Sequence, residues 1–134
     1  SKFVTKEQQH LLRKLLSSIG GVTVVEEDQL HAVTGIAGSG PAYLYYFAES
    51  MVQAGIDNGL SSADAKKLVR QTLDGAAEML QQEDFGELRK RVTSPNGTTA
   101  AGLQALYDND FKRIVGDCVT SAATRSRELG KEFE

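Results

Sequence analysis

The sequence predicts an all-α helical bundle, preceded by one helix and one strand left over from an α/β layer. Three observations carry this. Apolar residues recur at three- and four-residue spacing through nearly all of the chain after Asp28. Only Val22-Thr23-Val24-Val25 reads as a strand, and a lone strand has no partner for its backbone hydrogen bonds. Capping signals separate the periodic stretches at helical lengths.

Thr5 with Gln8 reads as a capping box, and Leu11, Leu12, Leu15, Leu16 and Ile19 then form one apolar stripe that stops at Gly20-Gly21. With the strand that follows, residues 1–27 read as the last helix and strand of an upstream α/β domain, and residues 28–134 as a helical domain. Leu30, Val33 and Ile36 mark a short helix running into Gly35, Gly38 and Gly40. There Ser39 or Gly40 caps the next helix and Pro41 takes its first position. Leu44, Phe47, Ala48, Met51 and Val52 give that helix its buried face, and Gly59 ends it in a left-handed conformation.

Ser61 with Asp64 opens a further helix whose period runs from Ala65 to Leu80. Gly75 inside it costs about 1 kcal/mol relative to alanine, which a close helix crossing would offset. Phe85 to Val92 reads as a short basic helix and Ala100 to Tyr107 as another, with a loop between them. Asp110 is placed to cap the last helix, whose apolar face comprises Phe111, Ile114, Val115, Cys118, Ala122 and Leu129.

The chain has 134 residues, 40% hydrophobic and 25% charged, enough for one core. A net charge of -3 and scattered lysines and arginines provide no basic field for nucleic acid. No apolar run approaches the roughly 20 residues a membrane span needs, and the single Cys118 has no internal disulfide partner, so the expected location is the cytoplasm. The chain opens Ser1-Lys2-Phe3 without methionine, which reads as a piece of a longer polypeptide or as a chain that has lost its initiator. The helical faces carry surplus apolar surface, so a homodimer is expected. On pattern alone a compact monomer is the alternative.

The densest chemistry lies in Val92-Thr93-Ser94-Pro95-Asn96-Gly97-Thr98-Thr99, where four hydroxyl side chains sit in a bent loop that opens a helix. Backbone N–H groups at a helix start have no partner within the helix and lie at the positive end of its dipole, so a small carboxylate docks there without an arginine. On loop chemistry alone, the alternative is an ordinary capped loop. His10 and His31 have no carboxylate or cysteine at ligand spacing, so no metal site is expected. Cys118, on an apolar stripe, reads as a core thiol. Tyr43, Tyr45 and Tyr46 read as core or interface residues, with a substrate-ring pocket as the alternative. The Arg89-Lys90-Arg91 run reads as a solvated face close enough to the loop to favour an anionic substrate. Gly38 to Pro41 lacks G-x-G-x-x-G and follows a helical stretch, so it is not a dinucleotide phosphate cradle.

Gly38-Ser39-Gly40-Pro41-Ala42-Tyr43, Gln71-Thr72-Leu73-Asp74-Gly75-Ala76-Ala77-Glu78-Met79-Leu80 and the hydroxyl loop, in that order, resemble pyrroline-5-carboxylate reductase across essentially the whole chain. What they match is the C-terminal part of that family, without most of its nucleotide-binding domain. The resemblance implies an interleaved homodimer, with larger rings of dimers in some members. It implies reduction of 1-pyrroline-5-carboxylate to L-proline, the last step of proline biosynthesis, with NADPH or NADH bound mainly by the missing Rossmann-type domain. It assigns the substrate carboxylate to Ser94, Gly97, Thr98 and the Thr99 N–H, the catalytic hydrogen bond at the ring nitrogen to the Thr99 hydroxyl, and a nicotinamide contact to Gly40 and Pro41. Where the family usually has glycine this chain has Asn96, a residue that tolerates a left-handed backbone. Two alternatives accompany this reading. One is a related two-domain reductase acting on another imine or a hydroxy acid. The other is a non-catalytic helical homodimer that binds a proline-like ligand or a partner protein.

Overall fold

The computed structural model describes residues 4–132. Ser1–Phe3, within the first predicted domain, and Phe133 and Glu134, at the end of the second, lie outside the described residues. The chain divides into two compact units, Ser1–Leu30 and His31–Glu134.

In the first unit, helix α1 spans Lys6–Ser17 behind a complete capping box. Gln8 N–H donates to Thr5 Oγ1 at 3.2 Å and Thr5 N–H donates to Gln8 Oε1 at 2.9 Å, satisfying two donors that would otherwise be orphaned. Residues 21–26 adopt no regular structure, and a 3-10 turn follows at Glu27–Gln29. The predicted strand at Val22 to Val25 is therefore not formed, and no β-ladder exists among the described residues. The reason is the one visible in the sequence: a strand is held by a neighbour, and none is present here.

The second unit is all helical, as predicted. Helix α2 (Leu30–Val33) begins at the boundary and passes into a π-helical turn at Thr34–Gly38, which leads directly into α3 (Gly40–Asp57). Then follow α4 (Ser62–Met79), α5 (Phe85–Arg91), α6 (Thr98–Asp108) and α7 (Phe111–Lys131). Two predicted boundaries hold with their mechanisms. Gly59 takes φ +97° after α3, and Ser61 Oγ accepts from Asp64 N–H at 3.1 Å to open α4. Helix α6 begins at Thr98, ahead of the predicted Ala100, with Gly97 at its N-cap position. Others differ. Ser39 occupies the cap position but is itself helical and makes no side-chain cap, because the π turn carries the backbone through without a break; Pro41 is accordingly the second residue of α3. Asp110 precedes α7 at φ +51° without a capping hydrogen bond from its side chain, so it contributes a left-handed corner in place of an acceptor.

The packing contacts run α3 against α4, α7 against the π turn, and α6 against α7. At the first contact, a Cβ added to Gly55 would lie 3.3 Å from both Ala65 Cβ and Leu60 Cδ1. No close crossing at Gly75 is made within this chain, where nothing lies within 4 Å of the position its Cβ would take. Among the described residues the buried apolar side chains are Ala65, Val69 and Ala123, at 2%, 8% and 6% exposure. The predicted α7 face of Phe111, Ile114, Val115 and Cys118 is exposed, whereas the covered stripe is Val119, Ala122, Ala123 and Ser126. Cys118 is therefore not a core thiol within this chain. On α3, Leu44, Tyr45 and Tyr46 are 61%, 68% and 73% exposed. The chain exposes 11257 Å² in all, against about 6900 Å² for a self-sufficient folded monomer of 14.5 kDa. No described helix is long and apolar enough to cross a membrane.

Candidate functional site

The loop between α5 and α6 is built by the termini it joins. Basic Arg89, Lys90 and Arg91 sit in the last turn of α5, where they complement its negative dipole end. Thr93 Oγ1 donates to Arg89 C=O at 2.6 Å, so this hydroxyl is committed to the end of α5. Ser94 to Gly97 then close a turn in which Gly97 N–H donates to Ser94 C=O at 3.1 Å. Asn96 occupies the left-handed region at φ +58°, as predicted for an asparagine at this point. Gly97 is required by crowding and not by its dihedral angles: at φ −82° its backbone is ordinary, but an added Cβ would collide with Ser94 Oγ and lie 3.2 Å from Ser94 C=O.

The turn delivers the chain into α6 with Thr98 and Thr99 as its first residues. Gly97 accepts from Ala101 N–H at 3.1 Å, and the N–H groups of Thr98, Thr99 and Ala100 have no acceptor among the described residues. The hydroxyls of Ser94, Thr98 and Thr99 are exposed and likewise without a partner there. Ser94, Gly97, Thr98 and Thr99 are thus brought together as expected, offering consecutive donors at the positive end of a helix. Such an arrangement accepts a carboxylate or a similar small anion.

Beside this turn lies an open groove of about 380 Å³ between α5 and α6, bordered by Arg89, Lys90, Thr93, Leu103, Gln104 and Tyr107. Lys90 is paired with Glu87 at 2.7 Å and Arg91 with Glu83 at 2.6 Å, while Arg89 has no ion pair among the described residues. The basic run is solvated, as its sequence suggested, but its charges are unequal: Arg89 is the one without an ion pair among the described residues. Gln104 and Tyr107 are absent from the set predicted from sequence. The signal for them was available, since Ala100, Leu103, Gln104 and Tyr107 share one face of α6 by helical spacing.

Gly40 and Pro41 lie elsewhere, at the first turn of α3, and no hydrogen bond or ion pair among the described residues joins them to the turn at Ser94–Thr99. The two places share α7 as their support, because α7 packs against both α6 and the π turn that precedes Gly40. Ser39 N–H donates to Thr34 C=O at 2.9 Å and Ala42 N–H donates to Ser39 C=O at 3.0 Å. These two donors are thereby spent within the chain. Nothing lies within 4 Å of where a Gly40 Cβ would stand, so a flat group can approach the backbone closely there. No group of three or more metal-ligating side chains occurs among the described residues.

Comparison with known proteins points the same way. A family model described as pyrroline-5-carboxylate reductase dimerisation matches residues 27–129. Pyrroline-5-carboxylate reductase 2 of Bacillus subtilis is 47% identical over 123 residues, which cover 90% of this chain and 44% of that protein. The pyrroline-5-carboxylate reductase of Synechocystis is 38% identical over 98% of this chain and 50% of its own length. The Coxiella burnetii pyrroline-5-carboxylate reductase structure superposes with a TM-score of 0.90 at 32% identity, covering 96% of this chain and 49% of that one. The NADP-bound Plasmodium falciparum pyrroline carboxylate reductase structure gives 0.85 at 36%, covering 97% of this chain and 50% of that one. The chain spans about half the length of the curated relatives it matches. With a family match from residue 27 to residue 129 on a fold that superposes this closely, the chain belongs to the pyrroline-5-carboxylate reductase dimerisation family.

Proposed function

We propose that this chain is the substrate-binding and dimer-forming part of a pyrroline-5-carboxylate reductase, which reduces 1-pyrroline-5-carboxylate to L-proline with NADPH or NADH. The observation that carries the reading is the Ser94–Gly97 turn, which presents the free N–H groups of Thr98 and Thr99 beside unpartnered hydroxyls in a member of this family. The substrate carboxylate accepts hydrogen bonds from Ser94 Oγ and the Thr98 and Thr99 N–H groups, and the backbone of Gly97 allows its close approach. Arg89 adds a positive field at the mouth of the site. The Thr99 hydroxyl is the catalytic contact at the ring nitrogen: it orients the protonated imine and holds the hydrogen bond as that nitrogen becomes an amine. A nicotinamide supplies the hydride. Gly40 and Pro41 offer it an open edge, while the rest of the dinucleotide is held by a nucleotide-binding domain of which residues 1–27 form the last part. Residues 28–134 form the working helical domain.

Two copies assemble as an interleaved homodimer, with larger rings of dimers open to the same surfaces. The exposed apolar faces of α3 and α7 support this. A lone thiol at Cys118 suits the cytoplasm, where it stays reduced. The test uses the complete reductase polypeptide carrying this chain, and follows oxidation of NADPH with 1-pyrroline-5-carboxylate. Thr99→Val is expected to reduce kcat/KM about ten- to a hundredfold, the value of one hydrogen bond to a charged group. An unchanged kcat/KM would remove Thr99 from catalysis. Absence of turnover in the unaltered polypeptide would leave a non-catalytic dimer that binds a proline-like ligand.

A further inference from the structure

We infer that the π turn Thr34–Gly38, held on α7 through Gly35, sets the rotational phase in which the first turn of α3 is presented, and so positions Gly40 and Pro41. The inference rests on the cofactor contact proposed above. Three contacts tie this stretch to α7, and their order is antiparallel. His31 Nδ1 lies 3.0 Å from Ser126 Oγ. Gly35 is buried, and a Cβ there would stand 2.8 Å from Val119 C=O and 3.5 Å from Ala123 N. Tyr43 Oη donates to Cys118 C=O at 3.3 Å.

These contacts are not compatible with an uninterrupted α-helix. At about 100° per residue, the step from His31 to Tyr43 would rotate Tyr43 about 120° away from the side that bears His31. The Ser39 N–H to Thr34 C=O hydrogen bond spans five residues instead of four, so the turn absorbs one extra residue and takes back about 100°. His31, Gly35 and Tyr43 then share one stripe facing α7. Because Gly40 and Pro41 lie between the π turn and Tyr43, their direction is fixed by the same correction. Gly35 is the grip: its neighbour is a main-chain carbonyl of α7, which has no side-chain freedom with which to retreat. Gly35 is thus a positioning residue, acting through Gly40 and Pro41 without touching a ligand.

The experiment measures both Michaelis constants and the 19F spectrum of the complete reductase polypeptide labelled with 3-fluorotyrosine, the Tyr43 signal being assigned by its loss in Tyr43→Phe. Gly35→Ala is expected to shift the Tyr43 signal and raise KM for NADPH about tenfold, with KM for 1-pyrroline-5-carboxylate within about twofold. If Gly35→Ala does not fold, Tyr43→Phe deletes only one hydroxyl and should show the same split at about two- to threefold. An equal rise in both KM values, or a fall in thermal stability alone, would overturn the inference by making the contact merely structural. A shifted Tyr43 signal in a protein whose unaltered form shows no turnover would sink the catalytic reading while supporting the control of phase.

Discussion

The commitment of hydroxyls in the Thr93–Thr99 loop is uneven. Thr93 serves the end of α5, and Ser94 is pressed against Gly97, while Thr98 and Thr99 stand free at the start of α6. By residue type alone all four were equivalent, and only the family resemblance singled out Ser94, Thr98 and Thr99; what separates them in the structure is the turn hydrogen bond from Gly97 to Ser94 and the reach of Thr93 back to Arg89. Gly97→Ala tests the sorting. The added methyl collides with a side-chain hydroxyl that is able to rotate, so the fold should survive with Tm within about 5 °C. The displaced Ser94 hydroxyl, however, leaves the proposed carboxylate site. Steady-state kinetics should show kcat/KM reduced about tenfold; a loss of stability with unaltered kinetics would contradict the assignment of Ser94.

Element boundaries were legible wherever a side chain or a glycine performs a local task. The Thr5–Gln8 box, Ser61 at the start of α4 and left-handed Gly59 are such cases, because the hydrogen bond or dihedral involved lies within a few residues of its cause. Ser61→Ala should therefore cost about 1 kcal/mol in denaturant unfolding, and a cost near zero would mean that the cap is not holding α4. The passage from α2 to α3 was not legible in the same way. Apolar spacing cannot distinguish a π turn from a short helix followed by a break, and Ser39 and Pro41 are both residues that ordinarily mark a fresh start. The glycines were not legible either. A glycine in a helix signals a close approach only if a partner is there: Gly55 finds Leu60 and Ala65 nearby in sequence, Gly35 finds Val119 on a distant helix, and Gly75 finds none within this chain.

For the whole molecule, the sequence predicted more apolar surface than one chain buries, and the structure bears this out on the exposed faces of α3 and α7. Periodicity shows that a stripe must be covered, but not whether the cover comes from the same chain. This is why Cys118 looked like a core thiol and lies exposed. If a second copy covers these faces, stability is linked to concentration by mass action: Tm should rise by several degrees between low and high micromolar protein, and sedimentation should report a dimer. A Tm independent of concentration with a monomer in the ultracentrifuge would refute the homodimer.

The π turn also determines where this chain tolerates a change of length. Loss of the codon for Gln81 or Gln82 would fall in the surface connection between α4 and α5 and be absorbed by it. The same loss between Thr34 and Gly38 would turn everything beyond it by about a third of a revolution, so natural variation in length among such chains should be scarce at that point.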